Sequence, residues 1–183
     1  GHADLAAKSE FRVFRSAADS GGRLRGINAK GAAADFSRKR IDELTEYVKQ
    51  DFGAGGLAWF RVEEDGSLWA PFAKNLEDDV LAGIGERMGA EPGDQLFFIA
   101  DSWEVSCKAL AGIRRRLGAE LELYAPGTMH FSWIVEFPMF DLDEETGSWV
   151  AMHHPFTAPR VQDRELLESD PGSCRAQAYD LVI

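Results

Sequence analysis

The order in which strand and helix signals follow one another constrains this chain most. Leu57-Ala58-Trp59-Phe60-Arg61-Val62 and Leu68-Trp69-Ala70 are strand-like runs joined by the turn Glu64-Asp65-Gly66, a hairpin signature. Upstream, Phe11-Arg12-Val13-Phe14-Arg15 partly alternates apolar and polar residues, Asp19-Ser20-Gly21-Gly22 supplies turn chemistry, and Leu24 to Ile27 continues into a second strand. This is another hairpin, with a longer loop. Ser37 is placed as the N-cap of a helix over about 38–51, with Ile41, Leu44, Val48 and Phe52 at helical spacing. Arg38, Lys39 and Arg40 sit in its first turn, against the helix dipole, where a partner anion or simple tolerance fits equally. A second helix over about 76–88 aligns Leu76, Val80, Ile84 and Met88, and Gln95 to Ala100 is a mostly apolar strand. Ser102 caps a third helix through about Leu117, whose inner face is read as Trp103, Leu110, Ile113 and Leu117, with Cys107 a small buried residue. The order β-β-α-β-β-α-β-α implies an α+β domain with a largely antiparallel sheet flanked by helices.

After about Ala119 strand signals dominate. Trp133 to Phe140 reads as one strand, Asp141 to Gly147 as an acidic turn, and Ser148 to Met152 as the returning strand. Gln162 to Glu168 reads as a short helix, and Ala178 to Ile183 as a last strand. The chain therefore divides into a lead-in over 1–10, a first domain over 11–119 and a second region over 120–183. Gly1-His2 is read as the scar of a cleaved tag.

At 183 residues and 20.2 kDa the chain is long enough for one ample core or two small domains. Its net charge of −11 opposes a general grip on nucleic acid, which needs a cationic surface to displace counterions. Arg114-Arg115-Arg116 and Arg38-Lys39-Arg40 are the basic clusters, and both read as solvated helix faces. No apolar run approaches the ~18 residues of a membrane span, and the N-terminus lacks signal-peptide character. Two cysteines in different segments fit a cytoplasmic protein without disulfides.

The segment Val150-Ala151-Met152-His153-His154-Pro155-Phe156-Thr157 carries the chemistry. Pro155 favours an extended His154, and in extended backbone successive side chains point to opposite faces. One imidazole can enter a cleft while the other braces it, and imidazole can donate, accept or, once protonated, attract a carboxylate. Zinc sites use spaced ligands such as His-x₃₋₅-His, which the histidines here do not offer. Gly53-Ala54-Gly55-Gly56 follows a helix and precedes a strand, the reverse of a phosphate loop, and is read as a helix C-cap and connection. Asp141 to Gly147 lacks the full spacing of a calcium loop.

Trp133-Ile134-Val135-Glu136-Phe137-Pro138-Met139-Phe140, the His-His-Pro-Phe-Thr segment and Ala178-Tyr179-Asp180-Leu181-Val182-Ile183 together resemble the bacterial-type aspartyl-tRNA synthetase family of class II. Gly55-Gly56-Leu57-Ala58-Trp59, Gly93-Asp94-Gln95-Leu96-Phe97-Phe98 and the helix Ala109 to Leu117 resemble its insertion domain, the GAD domain, with Leu110-Ala111-Gly112 departing from the usual pattern in a way that affects packing. The resemblance implies that residues 120–183 are part of the antiparallel sheet under the catalytic site. It implies a parent that joins L-aspartate to ATP as aspartyl-adenylate with Mg²⁺ and transfers the aspartyl group to tRNA, as a homodimer away from membranes. By motif, His153 and His154 contact aspartate, and Asp180 lies near ATP and Mg²⁺. The family continues past this segment into further ATP-binding motifs, so the isolated chain is expected to hold no cofactor, to bind tRNA weakly and not to aminoacylate. The other reading is a freestanding GAD-type interaction module that docks on a synthetase, an amidotransferase or tRNA without catalysis.

Overall fold

A computed structural model of the chain describes residues 22–125, 127–143 and 145–183. The strand expected at Phe11–Arg15 lies outside the described residues. The chain divides into two compact units, with the division after Ala125.

The first unit is organised by a strand that is apolar on both sides. β4 (Gln95–Asp101) lies between β1 (Arg23–Ala29) and β2 (Ala58–Val62), and β3 (Leu68–Trp69) follows β2, all antiparallel. Successive side chains of a strand face opposite ways. Phe97 and Ile99 therefore enter one cluster with Ile41, Leu44 and Val48 of α1 (Arg38–Phe52) and with Ala109, Ile113 and Leu117 of α3 (Trp103–Glu120). Leu96 and Phe98 enter the other with Leu76 and with Val80 and Ile84 of α2 (Asp78–Met88). All four β4 side chains are completely buried. Each such burial contributes about 1.5–3 kcal/mol relative to exposure. This α+β architecture is the one the element order implies.

The helix ends follow local chemistry. The Ser37 side chain accepts from the Arg40 backbone N–H and the Ser102 side chain from that of Val105. Gly53 closes α1 in the left-handed region at φ 68°, as a C′ glycine does, and the carboxylate of Asp101 accepts from the Gly55 N–H at 3.0 Å. The glycine-rich run is thus a helix stop tied to the end of β4. The cationic first turn of α1 also finds its reason. Arg40 donates to Glu120 in the last turn of α3 at 2.7 Å and lies 4.6 Å over the Phe36 ring. Its anion is intramolecular.

Three expectations are corrected. Trp103 is 61% exposed and stacks under the Arg25 guanidinium, so it belongs to the outer face of α3. Cys107 is half-buried, and its sulfur accepts from Arg25 at 3.5 Å. The second helix starts at Asp78, because Leu76 ends a short 3₁₀ turn and packs into the core from there.

Close helix approach depends on Gly112. A Cβ there would stand 2.4 Å from the Phe52 ring and 3.0 Å from the Tyr47 hydroxyl. Gly112→Val is expected to destabilise the first unit by about 2–3 kcal/mol, lowering its urea midpoint. An unchanged midpoint would contradict this packing.

Asp94 fastens one end of the sheet. It is 2% exposed and accepts from Asn28 Nδ2 at 2.8 Å, Gly31 N–H at 2.8 Å and Glu91 N–H at 3.0 Å, with Lys30 Nζ at 3.1 Å. Burial opposes its ionisation, but these donors outweigh burial and hold its carboxyl below the ordinary value. A lowered folded pKa contributes stability that is complete above the unfolded value of about 3.9 and is lost as pH falls through the folded value. Asp94→Asn should cost on the order of 2 kcal/mol at pH 7. In urea titrations the gap between the two proteins should narrow as pH falls through the lowered folded value, where both come to carry a neutral side chain; a pH-independent gap would refute the ionised latch.

Candidate active-site sheet

The second unit is built around a short central strand. Residues 174–177 are flanked by 137–139 and by 158–160. Met139 N–H donates to the Cys174 carbonyl and Ala176 N–H to that of Phe137, while Arg160 N–H donates to Arg175 and Gln177 N–H to Ala158. The flanking bridges are Pro138↔Arg175 and Pro159↔Ala176. The hydrogen bonds pass on either side of each pair, so neither proline stands where a backbone N–H is needed. Cys174 and Ala176 are fully buried by this arrangement.

Two separate two-stranded ladders complete the unit. β5 (Ser132–Ile134) pairs with β8 (Asp180–Val182), and β6 (Phe140–Asp143) with β7 (Ser148–Ala151). The single strand expected over Trp133–Phe140 is interrupted, because Glu136 takes a left-handed backbone at φ 62°. The helix expected over Gln162–Glu168 is split into a 3₁₀ turn (Val161–Asp163) and α4 (Leu166–Ser169). Asp163 ends the 3₁₀ turn, and its carboxylate accepts from the Arg175 N–H at 3.1 Å. In the acidic turn, Asp143 accepts from Thr146 Oγ1 at 2.8 Å and from the Glu145 N–H at 2.9 Å. The Thr146 bond first, and these N–H groups after it, lower its carboxyl pKa, so this is a self-satisfied turn.

The histidine pair is divided by environment. His153 is half-buried, with Nε2 3.1 Å from the Pro138 carbonyl and its ring edge-on to Phe137 at 5.7 Å. A carbonyl only accepts, so Nε2 carries a proton and Nδ1 is the other face of the ring. His154 is exposed, and its Nδ1 accepts from the Phe156 N–H at 3.2 Å. That acceptor role leaves the proton of neutral His154 on Nε2. The Thr157 N–H closes the turn onto the His154 carbonyl.

Asp180 is exposed on β8, opposite Ile134. Ile134 and Pro138 belong to the same run of chain, so at ~3.3 Å per residue the Asp180 partner and the His153 partner lie within about 13 Å along it. Among the described residues no three His, Cys, Asp or Glu side chains cluster as a metal site. Asp180 offers one hard oxygen donor, which suits an ion held by one or two carboxylates together with substrate phosphates. A hollow of about 780 Å³ in the first unit, lined by Arg38, Lys39, Asp42, Glu43, Glu46 and Asp51 among others, mixes both charges without converging chemistry. Sequence reasoning passed over Glu136 and Arg160, whose side chains meet at 2.7 Å. The contact depends on register, which no local pattern displays. No helix among the described residues is long and apolar enough to cross a membrane.

Burial, with Asp163 nearby as the second cause, raises the Cys174 thiol pKa. In a Cys107→Ser chain, Cys174 should resist a thiol reagent at pH 8 until urea opens the unit. Immediate labelling would contradict the buried central strand.

Residues 14–110 match the family described as GAD domain. The chain is 62% identical over 179 residues to an aspartate–tRNA(Asp/Asn) ligase of Rhodopirellula baltica, covering 98% of this chain and 30% of that protein. It is 48% identical over 180 residues to an aspartate–tRNA ligase of Halalkalibacterium halodurans and 47% identical over 175 residues to an aspartate–tRNA(Asp/Asn) ligase of Desulfatibacillum aliphaticivorans. The chain spans about 30% of the length of these relatives.

Proposed function

The chain belongs to the GAD domain family and matches aspartate–tRNA ligases along nearly its whole length, and from that premise we propose that it is the insertion domain and part of the catalytic sheet of such a ligase. The match carries the reading because it covers 98% of the chain and so reaches through both units. The parent activates L-aspartate with ATP and passes the aspartyl group to tRNA in the cytoplasm, working as a homodimer. A freestanding interaction module would not account for the match across the second unit.

The geometry supports distinct jobs for the two histidines. The His154 Nε2–H is a donor at an exposed position and suits a carboxylate of aspartate. The His153 Nδ1, fixed by the Pro138 carbonyl on the far side of the ring, suits the substrate's ammonium as an acceptor. Neither acts as a nucleophile. Asp180 is the residue that would hold Mg²⁺, which when bound would supply positive charge to the phosphates. Further groups that bind ATP come from outside this segment, so the isolated chain is inactive. The exposed Trp133, Phe156, Tyr179 and Leu181 side chains fit a sheet that packs against those further parts.

Aspartate-dependent exchange of pyrophosphate into ATP tests the reading. The full-length protein should catalyse it and the 183-residue chain should not. Loss of one charge-assisted contact through His154→Ala should raise the KM for aspartate on the order of tenfold or more, with the KM for ATP unchanged. Exchange by the isolated chain, or exchange with another amino acid in place of aspartate, would overturn it.

A further inference from the structure

We propose that Glu136 and Arg160 form a positioning clamp that sets the orientation of His153. The consequence for aspartate binding rests on the functional reading above. The orientation itself does not.

The register of the second unit carries the argument. Ser132↔Val182, Trp133↔Leu181 and Ile134↔Asp180 pair in one register, and Pro138↔Arg175 in a register shifted by one. Residues 135–137 thus face residues 176–179, three against four, so the extra residue of this bulge lies on the 176–179 side. Glu136 stands opposite it with φ 62°, a region costly for a residue with a Cβ, so the surroundings must hold it there. Beyond the bulge, Pro138 has no N–H to place, and its carbonyl receives His153 Nε2.

Arg160 lies on the other side of the central strand. Its N–H is bonded to the Arg175 carbonyl at 2.8 Å, and its Nη1 reaches across to Glu136 Oε1 at 2.7 Å. The segment from His153 to Arg160 is therefore tied to the same run, 136–138, at both its ends. Untying Glu136 frees the bulge to slip back by one residue, which would move the Pro138 carbonyl away from the imidazole. Glu136 is 65% and Arg160 32% exposed, and ion pairs this open add little stability. A clamp of this kind acts on geometry, and its signature is a change at His153 without a matching loss of fold.

The test begins with the chain itself, labelled with ¹⁵N-histidine and observed at pH 8. His153 should show a protonated Nε2 and a bare Nδ1. Glu136→Ala and Arg160→Ala should average the two tautomers while the thermal midpoint stays within a few degrees. Arg160→Lys should retain most of the wild-type pattern, and the exchange E136R/R160E should restore it. Unchanged nitrogen shifts in both alanine variants, or a change that comes only with unfolding, would overturn the clamp. In the full-length protein, Glu136→Gln should raise the KM for aspartate severalfold and leave that for ATP unchanged. Equal effects on both would also overturn it. If His153→Ala leaves the KM for aspartate untouched while the tautomer results hold, the assignment of His153 to aspartate fails and the clamp stands.

Discussion

Leu96, Phe97, Phe98 and Ile99 send alternate side chains to opposite faces of β4, and water reaches none of them. That single requirement shapes the first unit. A strand apolar on both sides must be covered twice, so α1 and α3 take one face and α2 the other, and flanking strands must satisfy its backbone. The two ends of β4 are secured by carboxylates that accept backbone N–H groups. Asp94, just before the strand, takes those of Gly31 and Glu91, and Asp101, its last residue, takes those of Gly55 and Ser102. Small residues stand where the large ones press: the Phe98 ring lies where a Cβ on Gly26 would be, and the Phe52 ring does the same at Gly112.

The second unit repeats the device on a smaller scale. Its central strand is only a few residues long, and the buried part is Cys174 and Ala176. Prolines flank it on both sides at positions that ask for no N–H. This organisation keeps one carbonyl, that of Pro138, available for a side chain, and the imidazole of His153 takes it. The chemistry of the unit follows from that backbone choice. One histidine is anchored with its acceptor nitrogen fixed, and the next is exposed with its donor nitrogen free.

Much of the first unit was legible because its signals are local. Ser37 and Ser102 precede helical stripes and cap them, Gly53 stops a helix, and the apolar run 95–100 forms the middle strand. The errors there have long-range causes. Trp103 was assigned to the inner face by its hydrophobicity, but an arginine from β1 covers it at the surface. Arg40 looked misplaced until Glu120, distant in sequence, supplied its anion. In the second unit the motifs were visible, yet the break at Glu136 was not. A left-handed glutamate leaves no trace in periodicity, and its partner Arg160 becomes a neighbour only once three chain segments are in register.

The functional account stands or falls on where the aspartyl group sits. The most direct measurement is a crystal structure of the full-length protein with a non-hydrolysable aspartyl-adenylate analogue. The account predicts the aspartyl moiety within hydrogen-bond distance of His154 Nε2 and His153 Nδ1, with the phosphate side toward Asp180. An analogue bound away from the 152–157 turn, or one that meets the histidines with its adenine end, would contradict it.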